Sequence, residues 1–134
     1  MKQNIDVSII ILNYNTKALL LACLASLEEA RMSKDRWEII VVDNASTDGS
    51  VEALKHKKNI HVIQNKTNFG FAAGNNVGIR QVKGNYILLL NSDTEVSANA
   101  IADTKAFLDK HSDAGAATCK LLLPDGTMDP ACHR

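Results

Sequence analysis

The chain has 134 residues, 46% of them hydrophobic, with 15 basic and 15 acidic side chains and a formal net charge of zero. That length suits one domain of roughly 100–200 residues around a single core. A balanced charge argues against a nucleic-acid or other polyanion partner, yet leaves room for one small anion held by a few backbone amides.

Residues 5–12 (IDVSIIIL) are a short β-branched apolar run, the pattern of a strand buried on both faces. Asn13-Tyr14-Asn15-Thr16 breaks the run. Residues 17–31 predict a helix with Leu20, Leu24 and Leu27 on one stripe and Glu28, Glu29 and Arg31 towards solvent. Residues 37–42 (WEIIVV) predict a second buried strand ending at Asp43. Residues 47–57 predict a short helix that buries Val51 and Leu54, and residues 59–64 (NIHVIQ) a third strand. Residues 70–82 predict a helix with Ala72, Asn75, Asn76, Ile79 and Val82 along one side. Residues 85–90 (NYILLL) predict a fourth strand, closed by Asn91-Ser92-Asp93. Ser97 is placed to cap a helix running to Lys110, with Ile101 and Leu108 inward. Residues 114–123 contain a predicted fifth strand, and Pro124-Asp125-Gly126-Thr127 a turn.

Alternating strands and helices with parallel-type strands define an α/β doubly wound sheet. Such sheets bind ligands beyond the carboxyl ends of their strands. Three polar clusters fall there: Asn13-Tyr14-Asn15, Asp43-Asn44 and Asn91-Ser92-Asp93. Asp43 at a strand end can accept a hydrogen bond from a base N–H or a ribose hydroxyl, while Ser46, Thr47 and Asp48 can cap the next helix. Gly70, Gly74 and Gly78 are spaced by four and line one helix face, which serves either close packing on the sheet or the approach of a phosphate to the helix start. Asp93, beside such a phosphate site, is a candidate ligand for Mg²⁺ or Mn²⁺, whereas Glu95 reads as a solvated helix-start charge. Tyr14 can stack on a nucleobase with its hydroxyl in water, or pack at the rim.

Cys23, Cys119 and Cys132 are odd in number and lack a C-x-x-C pair, so they read as reduced thiols of a cytoplasmic protein. Cys132-His133 alone is a poor metal-ligand set. His56 and His111 fall at helix ends, where a cation suits the dipole. The start has no signal-peptide shape, and residues 7–12 are far short of the roughly 18 apolar residues of a membrane span. The sequons at Asn44 and Asn65 carry no meaning without secretion.

The segments VSIIILNYN (7–15), EIIVVDNASTDGS (38–50), NFGFAAGNNVGI (68–79), YILLLNSDTEV (86–96) and KLLLPDGT (120–127) occur in order at natural spacing. Together they resemble the family 2 glycosyltransferases of the GT-A fold, especially rhamnosyltransferase-like members. The resemblance implies a Rossmann-like, mostly parallel sheet flanked by helices, with residues 1–134 as the N-terminal, donor-binding part of a truncated domain. It implies that Tyr14, with the Asn13 and Asn15 backbone, flanks the base of a nucleotide-diphosphate sugar. It implies that Asp43 bonds the base, that Asn44 supports that loop, and that Asn68, Gly70 and Asn75 line the base and diphosphate region. Asn91-Ser92-Asp93 corresponds to the family's D-x-D-type motif, with Asp93 holding Mn²⁺ or Mg²⁺ and Asn91 standing where the first acid would be.

The implied chemistry is an inverting transfer of sugar to an acceptor hydroxyl, with a carboxylate base expected beyond Arg134; Asp125 and Asp129 are not read as that base. The acceptor is expected to be a sugar or lipid-linked sugar, in a cytoplasmic protein peripherally associated with the inner face of the membrane. Apolar surface left uncovered predicts a homo-oligomer. The competing reading is a non-catalytic nucleotide-binding or assembly domain. A nucleotidyltransferase ranks last, because no Gly-rich basic loop follows the first strand.

Overall fold

A computed structural model of the chain describes residues 4–31 and 36–130. The chain divides into two compact units, Met1–Ser97 and Ala98–Arg134. The first holds β1 (Val7–Asn13), α1 (Lys17–Ala30), β2 (Trp37–Asp43), α2 (Ser50–Leu54), β3 (Ile60–Gln64), α3 (Gly70–Ile79) and β4 (Tyr86–Asn91). The second holds α4 (Ala100–Lys110). The four strands form one parallel sheet in the order β3-β2-β1-β4. Parallel neighbours require crossover helices, and those crossovers are right-handed. Stepping from β1 to β2 to β3 therefore puts α1 and α2 on one face, and the return from β3 to β4 carries α3 over the other. The strand order reverses between β1 and β4.

The two faces are packed differently. Ile10, Ile40 and Val42 are the buried centre of the α3 face, with Leu12, Ile63, Val77, Ile79 and Val82 around them. A Cβ at Gly74 would stand 2.5 Å from Leu12 Cδ1, and one at Gly78 would stand 2.7 Å from Ile10 Cγ2. The helix thus lies closer to the sheet than any side chain would permit. Its buried line is Gly74, Asn75 and Gly78, while Ala72 and Asn76 are exposed. The expected stripe is corrected in part: Asn75 is buried and Ile79 and Val82 pack around this core, but Ala72 and Asn76 face solvent, and backbone alone fits where Gly74 and Gly78 lie over Leu12 and Ile10. Gly70 takes no part in this packing; its φ is 77° and nothing lies within 4 Å of its Cβ position. On the other face Ile9, Ile11 and Val41 are fully buried, and α1 buries the expected Leu20, Leu24 and Leu27 together with Cys23.

β1 and β2 are central and closed on both faces, whereas β3 and β4 are edges with half-exposed patterns. The run YILLLN in β4 reads as continuously apolar, yet Ile87 is 46% and Leu89 48% exposed. Register pairs them with Ser8 and Ile10, on the α3 side. α3 packs on β1 and β2, so this face of β4 stays bare.

At the amino end of the sheet a buried polar knot fixes the strands. The Ser8 hydroxyl donates to Glu38 Oε1 at 2.5 Å and accepts from the Gly84 and Lys83 amides at 2.8 and 3.2 Å. Glu38 Oε1 also accepts from the Lys83 amide at 2.6 Å. Arg36 makes two bonds of 2.9 Å to Asp6 beside it.

Four expectations are corrected. No fifth strand forms among the described residues of 114–123; Leu122 makes only an isolated antiparallel bridge to Met128. A strand needs a neighbour for its amides and carbonyls, and here the partner is merely the other arm of the 124–127 turn, whose Gly126 amide bonds Leu123 O at 2.8 Å. Ser97 is not the cap of α4: the helix follows Asn99, held at φ 69° with no side-chain cap bond. Glu95 accordingly lies in a loop, outside the helix start. The second helix begins at Ser50 rather than Thr47, because Gly49 at φ 82° turns the chain into it. Cys132 and His133 lie outside the described residues.

A Cβ at Gly84 would meet the Ser8 backbone nitrogen at 2.6 Å, an atom that cannot swing aside, whereas Gly115 has open space. Overpacking of this kind costs ~2 kcal/mol. Urea unfolding should therefore show Gly84→Ala destabilised by that amount and Gly115→Ala within ~0.5 kcal/mol of the parent. Equal effects would contradict the close approach.

Candidate functional site

β1 and β2 run in register to their last residues, so Asn13 and Asp43 end side by side. Both are buried, at 0% and 1% exposure. A carboxylate removed from water must have its oxygens bonded. Asp43 Oδ2 accepts from Asn13 Nδ2 at 2.8 Å, and Oδ1 accepts from the Ser46 amide at 2.8 Å. The backbone repeats the clasp: the Asn44 amide bonds Asn13 O, and the Asn65 amide bonds Asp43 O, each at 2.8 Å.

The loops after β1 and β2 are laced together above this pair. Ser46 Oγ accepts from Asn13 Nδ2 at 3.1 Å and from the Asn15 amide at 2.9 Å. Asn15 Oδ1 in turn accepts from the Thr47 amide at 2.8 Å. Asn15 and Ala45 both sit at positive φ, 52° and 63°. Asn tolerates that region and Ala does so at a cost of ~1 kcal/mol, so the lacing holds a strained loop in place. Asp48 Oδ2 accepts from the Lys17 amide at 2.8 Å and Oδ1 from the Ser50 amide at 3.0 Å. One carboxylate therefore serves the first turns of both α1 and α2. Of the three residues expected to cap α2, only Asp48 bonds that helix; Ser46 is spent on the first loop.

A second branch runs towards α3. Asn44, 2% exposed, donates through Nδ2 to Asn68 Oδ1 at 3.1 Å and to Gly70 O at 3.3 Å, and its Oδ1 accepts from Asn65 Nδ2 at 2.8 Å. Asn68 Oδ1 also accepts from the Gly70 amide at 2.8 Å. Asn75 stands apart: buried, it donates to Phe71 O in its own helix at 3.0 Å. Both sequon asparagines, Asn44 and Asn65, are buried within this branch.

The third cluster lies beyond the end of β4, whose Asn91 is level with Leu12 of β1. Ser92 Oγ is 2.9 Å from Thr16 Oγ1, which donates to Asn13 Oδ1 at 2.7 Å. Further along α1, Ser26 Oγ accepts from the Val96 amide at 2.9 Å and Cys23 Sγ lies 3.8 Å from Asn91 O. Burial, then the nearby Asp93 and Glu95 charges, pushes the Cys23 thiol up to about 11, so it stays a neutral donor. Asn91 and Asp93 are exposed, as are Asn15, Asn68 and Gly70, and Tyr14 is 49% exposed. Among the described residues no three His, Cys, Asp or Glu side chains gather as a metal cluster.

The site residues named from the sequence thus divide into a buried set that braces the sheet end (Asn13, Asp43, Asn44), the buried Asn75 within α3, and an accessible set (Tyr14, Asn15, Asn68, Gly70, Asn91, Asp93). Thr16, Ser46 and Asn65 join the clusters and were not singled out as site residues from the sequence. Only their spacing from the strand ends marked them, which any cap residue shares. In the second unit His111 bonds Phe107 O at 2.8 Å at the end of α4, as expected of a helix-end histidine.

A parallel α/β sheet with polar groups gathered at the strand carboxyl ends around a reversal of strand order is the architecture of nucleotide-binding proteins. The glycosyl transferase family 2 model matches residues 8–121. The chain belongs to that family. It is 33% identical over 108 residues to the poly(ribitol-phosphate) β-N-acetylglucosaminyltransferase TarS of Staphylococcus aureus, covering 78% of this chain and 19% of that protein. It is 39% identical over 100 residues to a poly(ribitol-phosphate) β-glucosyltransferase of Bacillus spizizenii, covering 71% of this chain and 16% of that protein. The chain therefore spans about a fifth of the length of these relatives. The structure of S. aureus TarS 1-349 in complex with UDP-GlcNAc matches 91% of this chain and 42% of that one, with a TM-score of 0.71 and 26% identity. The mannosyltransferase PcManGT of Pyrobaculum calidifontis, solved with GDP-Man and Mn²⁺, matches 92% of this chain and 37% of that one, with a TM-score of 0.73 and 22% identity, and shares the fold. The architecture is the GT-A sheet.

The bonds from Ser50, together with that from the Lys17 amide, hold the Asp48 carboxyl below its ordinary 3.8. A depressed folded value means stability that is present above 3.8 and lost as pH falls through the folded value. Acid unfolding should therefore be shallower below pH 4 in Asp48→Asn than in the parent. Parallel acid profiles would contradict the shared cap.

Proposed function

We propose that this chain forms the donor-binding part of a glycosyltransferase that moves a sugar from a nucleoside-diphosphate donor to an acceptor hydroxyl. The observation that carries the reading is the meeting of the polar ends of β1, β2 and β4 where the strand order reverses, the place where open α/β sheets take ligands. The TarS complexes with UDP and UDP-GlcNAc support a donor of this class. In this reading the Tyr14 ring stacks on the base. Asn13, Asn15, Asp43 and Asn44 shape the base pocket, and each Asp43 oxygen keeps a second lone pair for a base N–H. Asn68, Gly70 and Asn75 line the base and diphosphate side, and Asn91 and Asp93 take the diphosphate end. The motifs point to rhamnosyltransferase-like members while the two relatives carry N-acetylglucosaminyl and glucosyl names; the common donor chemistry is a nucleoside-diphosphate hexose.

The donor set fits a hard divalent cation, since Mg²⁺ is commonly held by one or two carboxylates plus substrate phosphates. Asp93 supplies the exposed carboxylate. Mn²⁺ or Mg²⁺ bound there supplies neutralising charge for the departing nucleoside diphosphate. The acceptor oxygen attacks the anomeric carbon opposite the leaving group, the bond from that carbon to the diphosphate oxygen breaks, and the acceptor proton passes to a base. Among the described residues none is assigned as that base. Asp125 is ill-suited: its Oδ1 accepts from Thr127 Oγ1 and the Thr127 amide, which hold its carboxyl below the ordinary range.

In this reading the acceptor is a sugar or lipid-linked sugar in surface polysaccharide synthesis, in the cytoplasm at the inner membrane face, whereas the two relatives are named for a poly(ribitol-phosphate) acceptor. Among the described residues no helix is long and apolar enough to cross a membrane. The bare Ile87 and Leu89 face supports self-association; a monomeric sedimentation profile at high concentration counts against it.

Thermal denaturation with nucleoside diphosphates tests the donor site. A nucleotide at ten times its Kd adds about 1.4 kcal/mol and raises Tm by several degrees. The expected shift requires Mn²⁺ and disappears in Asp93→Ala. No shift with any nucleoside diphosphate contradicts the reading.

A further inference from the structure

The nucleotide-side and metal-side clusters lie on opposite sides of the β1–β4 reversal, on loops far apart in sequence. One side chain touches both. Thr16 Oγ1 donates its single proton to Asn13 Oδ1 at 2.7 Å and lies 2.9 Å from Ser92 Oγ. Since the Thr16 proton is committed to Asn13, Ser92 donates to Thr16. Asn13 then passes the link to Asp43 Oδ2 and Ser46 Oγ. The result is a directed chain, Ser92 to Thr16 to Asn13 to Asp43, that crosses the crevice floor. Ser92 sits between Asn91 and Asp93, so the bond from its side chain restrains the backbone that carries the exposed Asp93 carboxylate. The rest of α1 grips the same loop, through Ser26 to the Val96 amide and Cys23 near Asn91 O. The 91–96 loop is thus anchored to α1 at three points, and only the Thr16 point continues into the nucleotide side.

We propose that Thr16 is a positioning residue that couples divalent-cation binding at Asp93 to nucleotide binding at the ends of β1 and β2. This rests on the donor-site reading above. The chain of bonds fixes the relative placement of the two clusters before ligand arrives, so a diphosphate and a cation that share oxygens meet a prealigned site. Removing a link leaves each cluster able to bind and loosens their registration. Coupling of this kind is reciprocal: the cation tightens the nucleotide by the same factor as the nucleotide tightens the cation.

The test measures the Kd of UDP and of GDP for the full chain, in EDTA and in saturating Mn²⁺, and follows the nucleotide that binds tighter. The Mn²⁺ enhancement is the ratio of the two Kd values. Ser92→Ala breaks only the link. It should cut the enhancement about fivefold, the worth of one neutral hydrogen bond, with the EDTA Kd within about twofold of the parent. Thr16→Val also removes the donor to Asn13, so it should lose the enhancement and weaken binding in EDTA as well. Thr16→Ser restores the hydroxyl and should restore the enhancement. The double variant Thr16→Val/Ser92→Ala should lose no more enhancement than Thr16→Val alone, because both act through one bond. A merely structural role would lower Tm and move both Kd values together. Enhancement unchanged in Ser92→Ala and Thr16→Val, while Asp93→Ala abolishes it, overturns the coupling and leaves the donor site standing. A parent chain that binds neither nucleotide overturns both.

Discussion

The Asn13–Asp43 clasp is the interaction on which the rest of the site depends. It joins the last residues of the two central strands, and neither side chain reaches water. With one bond from Asn13 and one from the Ser46 amide, Asp43 ties two loops to the sheet end at once. Removing Asp43 would leave one of the two Asn13 amide N–H groups buried without its acceptor, at a cost of ~1–3 kcal/mol, while the other keeps Ser46 Oγ. Everything above it inherits that fixed base: the positive-φ turns at Asn15 and Ala45, the Ser46 lacing, and the Asn44 branch to the start of α3. Two loops that each carry a non-glycine residue at positive φ persist only when their surroundings over-determine them, and here four hydrogen bonds do so.

The two ends of the sheet divide the labour. At the amino end, the buried Ser8 hydroxyl, the half-buried Glu38 and the Lys83–Gly84 amides bond one another. At the carboxyl end, the buried polar groups carry an accessible tier of Tyr14, Asn15, Asn68, Asn91 and Asp93. Polar groups tie strands together at one end and carry an exposed polar tier at the other. α3 belongs to both, since Gly74 and Gly78 bring its backbone onto Leu12 and Ile10 while Gly70 opens its first turn to solvent. The bare α3 side of β4 is the complement of that arrangement: a helix lowered onto β1 and β2 leaves the edge strand uncovered.

Much of this was legible in the sequence because periodicity and strand-end polarity are local signals. The short β-branched runs gave β1 and β2, the Leu20-Leu24-Leu27 stripe gave α1, and the glycine spacing gave the close face of α3. The clustering of Asn13, Asp43 and Asn91-Ser92-Asp93 at one edge followed from counting strands. Pairing was not legible. Residues 114–123 have strand composition but pair, among the described residues, only at the isolated Leu122–Met128 bridge, and YILLLN looks fully buried until the sheet order makes β4 an edge. Nor could the sequence divide the site residues into buried and accessible tiers: Asn13 and Asn15 are the same residue type two positions apart, and only the end of β1 at Asn13 and the turn at Asn15 separate them. Thr16 and Asn65 were missed for the same reason: a cap-like threonine and a sequon asparagine signal nothing until their partners on other strands are known.

The central claim is that a nucleoside diphosphate lies across the carboxyl ends of β1, β2 and β4 on this braced floor. A crystal structure of the chain with its tightest-binding nucleoside diphosphate and Mn²⁺ tests it most directly. The account predicts the base against Tyr14, the diphosphate at the β1–β4 reversal and the cation on Asp93, with the Asn13–Asp43 bond intact. A nucleotide seated at the amino end of the sheet, or a cation held without Asp93, would contradict it.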